Sequence, residues 1–452
     1  MDELSILQEL RHNAQELADN SPLGQLLWKN ALKVHPADLS SFFEDLDDHL
    51  FDAIFPKFPR ELKLEIFEHF SDAAKVRALA VMSEQDKIEA LNRLPSDELT
   101  DLFDSFSDEE LKANLHLLHR KSRENLLSLM KFSPESAGGI MNTDVITLVE
   151  DFTVEKSIHL LQRLRPRKDI YQQIYVTDRS QRLVGHINLE DLVLEAPQSR
   201  IGSFMHANEL VASTDQDREQ IAQEMRHYGL MSVPVVSEQN HFLGIISSET
   251  LVDVLVEEAS EDVQKMSALA PMKQGYFDIP FYRLFYERSY ILIGLLLAQS
   301  FTTTIMRSYE ATLRLGSLLF FTNMLISTGG NTSNQTSALV IQGLATGDLR
   351  SANVRRFIKR EILMGLALSC VLGVAAFARA YFFTRAFTES ITISLALSAI
   401  VVIAVTLGSS IPLLLRRFNI DPAFSAGPFL ATLMDILGVL IYCAICRLIF
   451  GA

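Results

Sequence analysis

Residues 422–446 form an apolar stretch with a single Asp, Glu, Lys, Arg or His, and that residue is Asp435. An ionised carboxylate at bilayer depth costs several kcal/mol unless it meets water, a cation or a partner, so such a residue marks an ion path by default. Asp421-Pro422-Ala423 and Gly427-Pro428-Phe429-Leu430-Ala431-Thr432-Leu433-Met434 precede it, and the two prolines and the glycine loosen the helix just before the charge. A second segment, Ser327-Thr328-Gly329-Gly330-Asn331-Thr332-Ser333-Asn334-Gln335-Thr336-Ser337, is too polar and glycine-rich for an uninterrupted lipid-facing helix. A break is therefore expected there, in protein or beside a wet cavity. Small residues and hydroxyls suit helix packing just as well. The amides of Asn331 and Asn334 tilt the reading toward a lining, because their oxygens suit a hard cation or its hydration water.

These residues need a membrane domain to hold them. From residue 272 onward the chain has eight acids and fifteen Lys plus Arg, so the overall charge of −15 leaves −22 for residues 1–271. A half so acidic repels nucleic acid, and its expected charged partners are cations. The second half has uncharged stretches at 289–306, 315–347, 362–378 and 390–415, besides 422–446. Each can supply the roughly 17 to 25 apolar residues of a spanning helix, which predicts five crossings of a bilayer. The first half lacks a signal-peptide pattern and is placed in the cytoplasm. Arg350, Arg355, Arg356, Lys359, Arg360, Arg416 and Arg417 then fall inside, against Arg307, Arg314, Arg379, Arg385 and Arg447 outside, the expected sign of bias. All eleven histidines lie in the first half, which argues against a zinc or copper carrier. Cys443 and Cys446 read as packing residues in a lipid helix. Glu287, before the first crossing, is expected to pair with Arg283 or Arg288. No nucleophile–base pair, phosphate loop or zinc-ligand spacing points to an enzyme.

The first half is built from repeats. Stacking 52–63, 64–75, 76–87, 88–99 and 100–111 aligns Ile54, Phe55, Phe58 with Ile66, Phe67, Phe70, then Ala78, Leu79, Met82, then Ala90, Leu91, Leu94, then Leu102, Phe103, Phe106. That i, i+3, i+4 pattern is helical, and Pro59, Ser71, Ser83, Pro95 and Ser107 end each unit and cap the next. The result is an all-α superhelix over residues 1–135. A longer repeat, offset by 59 residues, carries Ile174-Tyr175-Val176-Thr177-Asp178 onto Val233-Pro234-Val235-Val236-Ser237 and Leu183-Val184-Gly185-His186-Ile187 onto Phe242-Leu243-Gly244-Ile245-Ile246. Met141–Ile146 and Phe204-Met205 open the two copies. This resembles a tandem pair of α/β CBS modules, at 136–199 and 200–250. An acid-rich connecting helix at 251–269, within a 251–272 linker, leads into the membrane domain of 273–452.

Gly329–Gln335, the segment Gly343-Leu344-Ala345-Thr346-Gly347-Asp348-Leu349, and Asp421–Asp435 resemble the signature segments of the MgtE family of magnesium channels and transporters. The domain order matches over essentially the whole chain. The resemblance implies a homodimer in the cytoplasmic membrane with one pore on its two-fold axis. It implies Mg²⁺ as the transported and regulatory ion, Asp435 as the pore carboxylate, and Ala431 as the source of a carbonyl beside it. It further implies that 251–269 is a plug helix on which Asp253, Glu258, Glu261 and Asp262 bind regulatory Mg²⁺, with Asp217, Glu219 and Asp421 at matching acidic positions. Independently, Mg²⁺ takes oxygen ligands and sheds water reluctantly, so a few carboxylates and carbonyls around a hydrated ion suit it.

The chain departs from the family pattern in places. Gly427 stands where members often carry an asparagine, and Thr250 replaces a common acid. Some relatives bind ATP between the CBS modules; here Gln173, Glu190 and Leu230 replace residues that would offer a ring or a positive charge, and Asp191 alone does not make a ribose site. The alternatives are a carrier of Co²⁺, Mn²⁺ or Ca²⁺, and a membrane-anchored CBS sensor without transport, against which Asp435 and a broken second helix both argue.

Overall fold

The computed structural model describes residues 3–19, 21–164, 173–272, 279–313, 317–349, 352–418 and 420–451. Arg314 and Arg350 of the charge-bias reading lie outside them. The chain divides into two compact units, Met1–Leu255 and Val256–Ala452.

In the first unit, helices begin at Pro36, Asp48, Arg60, Asp72, Glu84, Ser96, Asp108 and Arg120, one every twelve residues. The hydroxyls of Ser71, Ser83 and Ser107 accept hydrogen bonds from the N–H groups of Ala74, Asp86 and Glu110, and so end the unpaired run at each helix start. Pro59 and Pro95 occupy the same place in other repeats. The apolar positions of the repeat are buried from Ile54 to Phe103, and Phe106 is partly buried. The polar contacts repeat as well. Lys63 Nζ lies 2.8 Å from Asp86, and Lys75 Nζ lies 3.0 Å from Glu98, both pairs being 23 residues apart. Each pair ties one repeat to the next but one.

The strands form two three-stranded sheets: β1 (Thr147–Val149), β2 (Gln173–Thr177) and β3 (Leu183–Asn188), then β4 (Ala212–Ser213), β5 (Ser232–Val236) and β6 (Phe242–Ser247). In each, the first strand is parallel and the third antiparallel to the middle one. β2 to β5 and β3 to β6 keep the 59-residue offset. The segments that open the copies exchange places: Asn142 pairs with Ile245 of β6, and His206 with His186 of β3. Each module therefore extends the other's sheet. Tyr175 stacks on Phe242 with ring centroids 5.6 Å apart, and its hydroxyl meets Ser232 Oγ at 2.8 Å.

One helix start of the superhelix bonds to the opening segment of the first CBS copy and to the end of the second. Ser96 Oγ accepts from the Thr143 N–H at 2.7 Å, and Thr250 Oγ1 donates to Asp97 Oδ2 at 3.3 Å. Asp97 Oδ1 is buried without a side-chain partner among the described residues. Burial, with the charge of Glu98 adding to it, pushes the Asp97 carboxyl up to about 6.

The connecting helix spans Ser248–Met266, and a turn with Ala268 at φ 55° follows it. It begins and ends three residues earlier than expected. Among the described residues, four helical stretches are long and apolar enough to cross a bilayer: Phe281–Ser308, Val354–Thr384, Phe387–Arg417 and Pro422–Phe450. In the second expected crossing stands Thr322–Ala345, whose 24 residues span about 36 Å but are too polar to meet the same standard. Leu325, Ile400, Val401, Ala404, Met434, Val439, Tyr442, Cys443 and Cys446 form the core between these helices, so the two cysteines do pack. Arg283 Nε donates to Glu287 at 3.0 Å, as expected.

The expected break in the polar segment is absent, because Thr322–Ala345 is one continuous helix. Its polar groups turn inward on their own backbone: Thr328, Thr332 and Thr336 donate to the carbonyls of Met324, Thr328 and Thr332, and Ser333 to that of Gly330. Its glycine serves close packing, since a Cβ on Gly329 would lie 2.6 Å from Ile400. The packing reading holds for the hydroxyls and glycines, and the argument against a sensor that rested on a broken helix falls away.

Candidate cation pathway and its mouth

Asp435 lies in the last helix, Pro428–Phe450, one helical turn beyond Ala431 on the same face. The side chain is half-buried, and its Oδ2 accepts from Gln299 Nε2 at 3.0 Å. Gln299 belongs to Phe281–Ser308, a helix none of whose residues is buried by the chain itself. Among the described residues, Asp435 has no cationic partner. A neutral donor fixes one carboxylate oxygen and leaves the charge in place. Sequence reasoning missed Gln299 because nothing local ties it to a residue 136 positions away.

Ala431 faces the polar helix, where a Cβ on Gly330 would lie 3.9 Å from it. In a regular helix the Ala431 carbonyl is engaged by the i+4 N–H and keeps one lone pair for any further ligand. Asn331 and Asn334 stand one turn apart on Thr322–Ala345. Asn331 is exposed, whereas Asn334 Oδ1 is buried without a hydrogen-bond partner, as is Ser337 Oγ one turn on. Such buried polar atoms need a partner that the described residues do not supply.

Before the last helix, Asp421 caps the Pro422–Ser425 turn by accepting from the Ala423 N–H at 2.8 Å. Its other oxygen accepts from Lys265 Nζ, which also pairs with Glu261 on the connecting helix. Asp262 is half-buried beside them; burial first, and the Asp421 charge second, push its carboxyl up to about 6. Burial opposes the Lys265 charge, but Asp421 and Glu261 outweigh it and hold the ammonium up at about 12. Glu258 and Glu261 bring carboxylate oxygens within 4.8 Å of each other. Of the expected regulatory acids, Glu261, Asp262 and Asp421 thus gather in the second unit. Asp217, Glu219 and Asp253 belong to the first. Asp217 caps a helix by accepting from the Gln220 N–H at 3.0 Å, Glu219 accepts from Gln223, and Asp253 is exposed.

Gly427 has φ +61° and ψ −129°, a region open essentially to glycine, and a Cβ there would lie 2.0 Å from the Met266 carbonyl. The missing asparagine is explained, because no side chain fits. In the CBS pair, Asp191 Oδ2 accepts from the Asn188 N–H at 2.8 Å and meets His206 Nε2 at 3.1 Å, and Ser232 donates to Gln173 at 2.9 Å.

The comparisons with known proteins agree with this layout. Residues 322–445 match a family described as a divalent cation transporter. Residues 34–135 match the MgtE intracellular N domain, and 137–197 and 201–257 each match a CBS domain. The class is a transporter of divalent cations that carries a CBS pair. The magnesium transporter MgtE of Thermus thermophilus is 30% identical over 424 residues, 93% of this chain and 94% of that protein. That of Bacillus subtilis is 28% identical over 354 residues, 78% of each. A crystal structure of the cytosolic domain of the Mg²⁺ channel MgtE in complex with ATP is 26% identical, with a TM-score of 0.49 over 54% of this chain and 100% of that one. The chain belongs to the MgtE family.

Proposed function

We propose that the chain imports Mg²⁺ across the cytoplasmic membrane as a homodimer, with Asp435 of each copy at the ion path and with five crossings, the polar helix included. The observation that carries this is an intramembrane carboxylate held by an amide rather than neutralised by a base. Mg²⁺ keeps most of its water, so a path needs charge to attract the ion and few direct ligands to release it. The half-buried Asp435 and the exposed Asn331 supply that charge and polarity at a surface that a second copy would enclose. Ala431 and Asn334 add oxygens along the same route.

The first half is cytoplasmic in this reading, and its acids set the response to internal Mg²⁺. Asp217, Glu219, Asp253, Glu258, Glu261, Asp262 and Asp421 bind the ion in the closed state, which closes the path to the degree that the ion prefers that state. The CBS pair offers ATP a poor site, because Gln173, Glu190 and Leu230 supply neither a ring nor a positive charge. Uptake into a magnesium-requiring strain tests the reading: Asp435→Ala should abolish growth rescue while reaching the membrane in normal amount. Rescue equal to the unsubstituted chain would overturn it.

A further inference from the structure

We infer that the Lys265 ammonium is a built-in cation that seats the end of the connecting helix on the mouth of the ion path, so that closure needs less Mg²⁺ than the acids alone would demand. The inference rests on the reading of Asp435 as the pore acid and names the regulation of that path. Lys265 is not a loose surface side chain. Only 12% of it is exposed, its Nζ pairs with both Glu261 and Asp421, and it lies 5.5 Å from the centre of the Phe424 ring.

The groups it joins are fixed from both sides. Asp421 is held by the Ala423 N–H, and the backbone of Met266, next to Lys265, closes on Gly427, where it leaves no room for a side chain. Beyond the helix end, the Met272 N–H donates to Gln264 Oε1 at 2.7 Å and turns the chain back. From Pro428 to Asp435 is about 10 Å of helix, so this seat stands roughly two turns from the pore acid.

Glu261, Asp262 and Asp421 are three carboxylates in a partly buried space, and without a cation their repulsion would part the helix from the turn. An ammonium supplies three donors without the octahedral geometry that Mg²⁺ requires. Being tethered, it is present at every Mg²⁺ level. The ion then has only the remaining negative charge to neutralise.

The test uses the full chain in lipid nanodiscs, with protease protection of the connecting helix and Mg²⁺ flux both followed against Mg²⁺ concentration. Lys265→Met should raise the midpoint of protection about tenfold, the effect of losing one charge-assisted hydrogen bond. Lys265→Arg, which keeps the charge and the donors, should restore it. An unchanged midpoint in Lys265→Met overturns the inference. So does a lower midpoint, which would make the lysine a competitor of the ion rather than a seat. Protection reports the seat whether or not Asp435 carries the ion, and Asp435-dependent flux reports the path, so failure of one is separable from failure of the other.

Discussion

Asp97 offers a sharp test of how the superhelix is fastened to the second CBS module. One carboxylate oxygen is buried without a side-chain partner among the described residues, the other receives the Thr250 hydroxyl at 3.3 Å, and burial raises the group from 3.8 to about 6. A raised carboxyl means that the folded unit binds the proton more tightly than the unfolded chain. Its contribution is therefore most favourable in acid, declines as pH rises from about 4 to about 6, and is then constant. A shift of about two units is a cost of about 3 kcal/mol at pH 7, falling to about 1.5 kcal/mol at pH 5. Asp97→Asn removes the titration but adds an N–H pair that needs partners, worth about 1 kcal/mol in the other direction. Urea unfolding of the fragment 1–255 should find the variant about 2 kcal/mol more stable at pH 7, and this advantage should shrink by about 1.5 kcal/mol at pH 5. An advantage that does not change with pH, or a variant less stable at both values, would refute the reasoning.

Two further outcomes follow from the membrane unit. Gln299→Leu should raise the half-saturating Mg²⁺ concentration for flux about tenfold, with a smaller change in maximal rate, because it removes one hydrogen bond to a charged group; equal kinetics would show that the amide does not orient Asp435. Gly427→Ala should lower the stability of the detergent-solubilised protein by at least about 1 kcal/mol, since it strains the backbone and collides with Met266; an unshifted melting temperature would count against that contact.

The periodic parts of this chain were legible because their signal is local. Ile54, Phe55 and Phe58 and their counterparts mark each repeat, and helices begin every twelve residues from Pro36 to Arg120. The 59-residue offset likewise survives in both sheets. What was hidden is what two distant segments do together. The exchange of Asn142 and His206 between sheets has no signature in either copy alone. The glycines and hydroxyls of Thr322–Ala345 looked like a break, since composition does not reveal that Thr328, Thr332 and Thr336 satisfy themselves on the preceding turn. Asp435 was conspicuous for its charge, whereas Gln299 and Lys265, its neighbour and the tether at the mouth, are ordinary residues until the fold gives them carboxylates to meet.

The helix Phe281–Ser308 carries a last consequence. Its 28 residues reach about 42 Å, well beyond the roughly 30 Å of a hydrocarbon core, and its own chain buries none of them. Its uncharged part, residues 289–306, spans about 27 Å, so bilayer thickness bears on how far it leans together with its contact on Pro428–Phe450. Because Gln299 rides on it, a thinner or thicker bilayer would slide the amide along the last helix, making the membrane's composition a dial on the acid that the ion must pass.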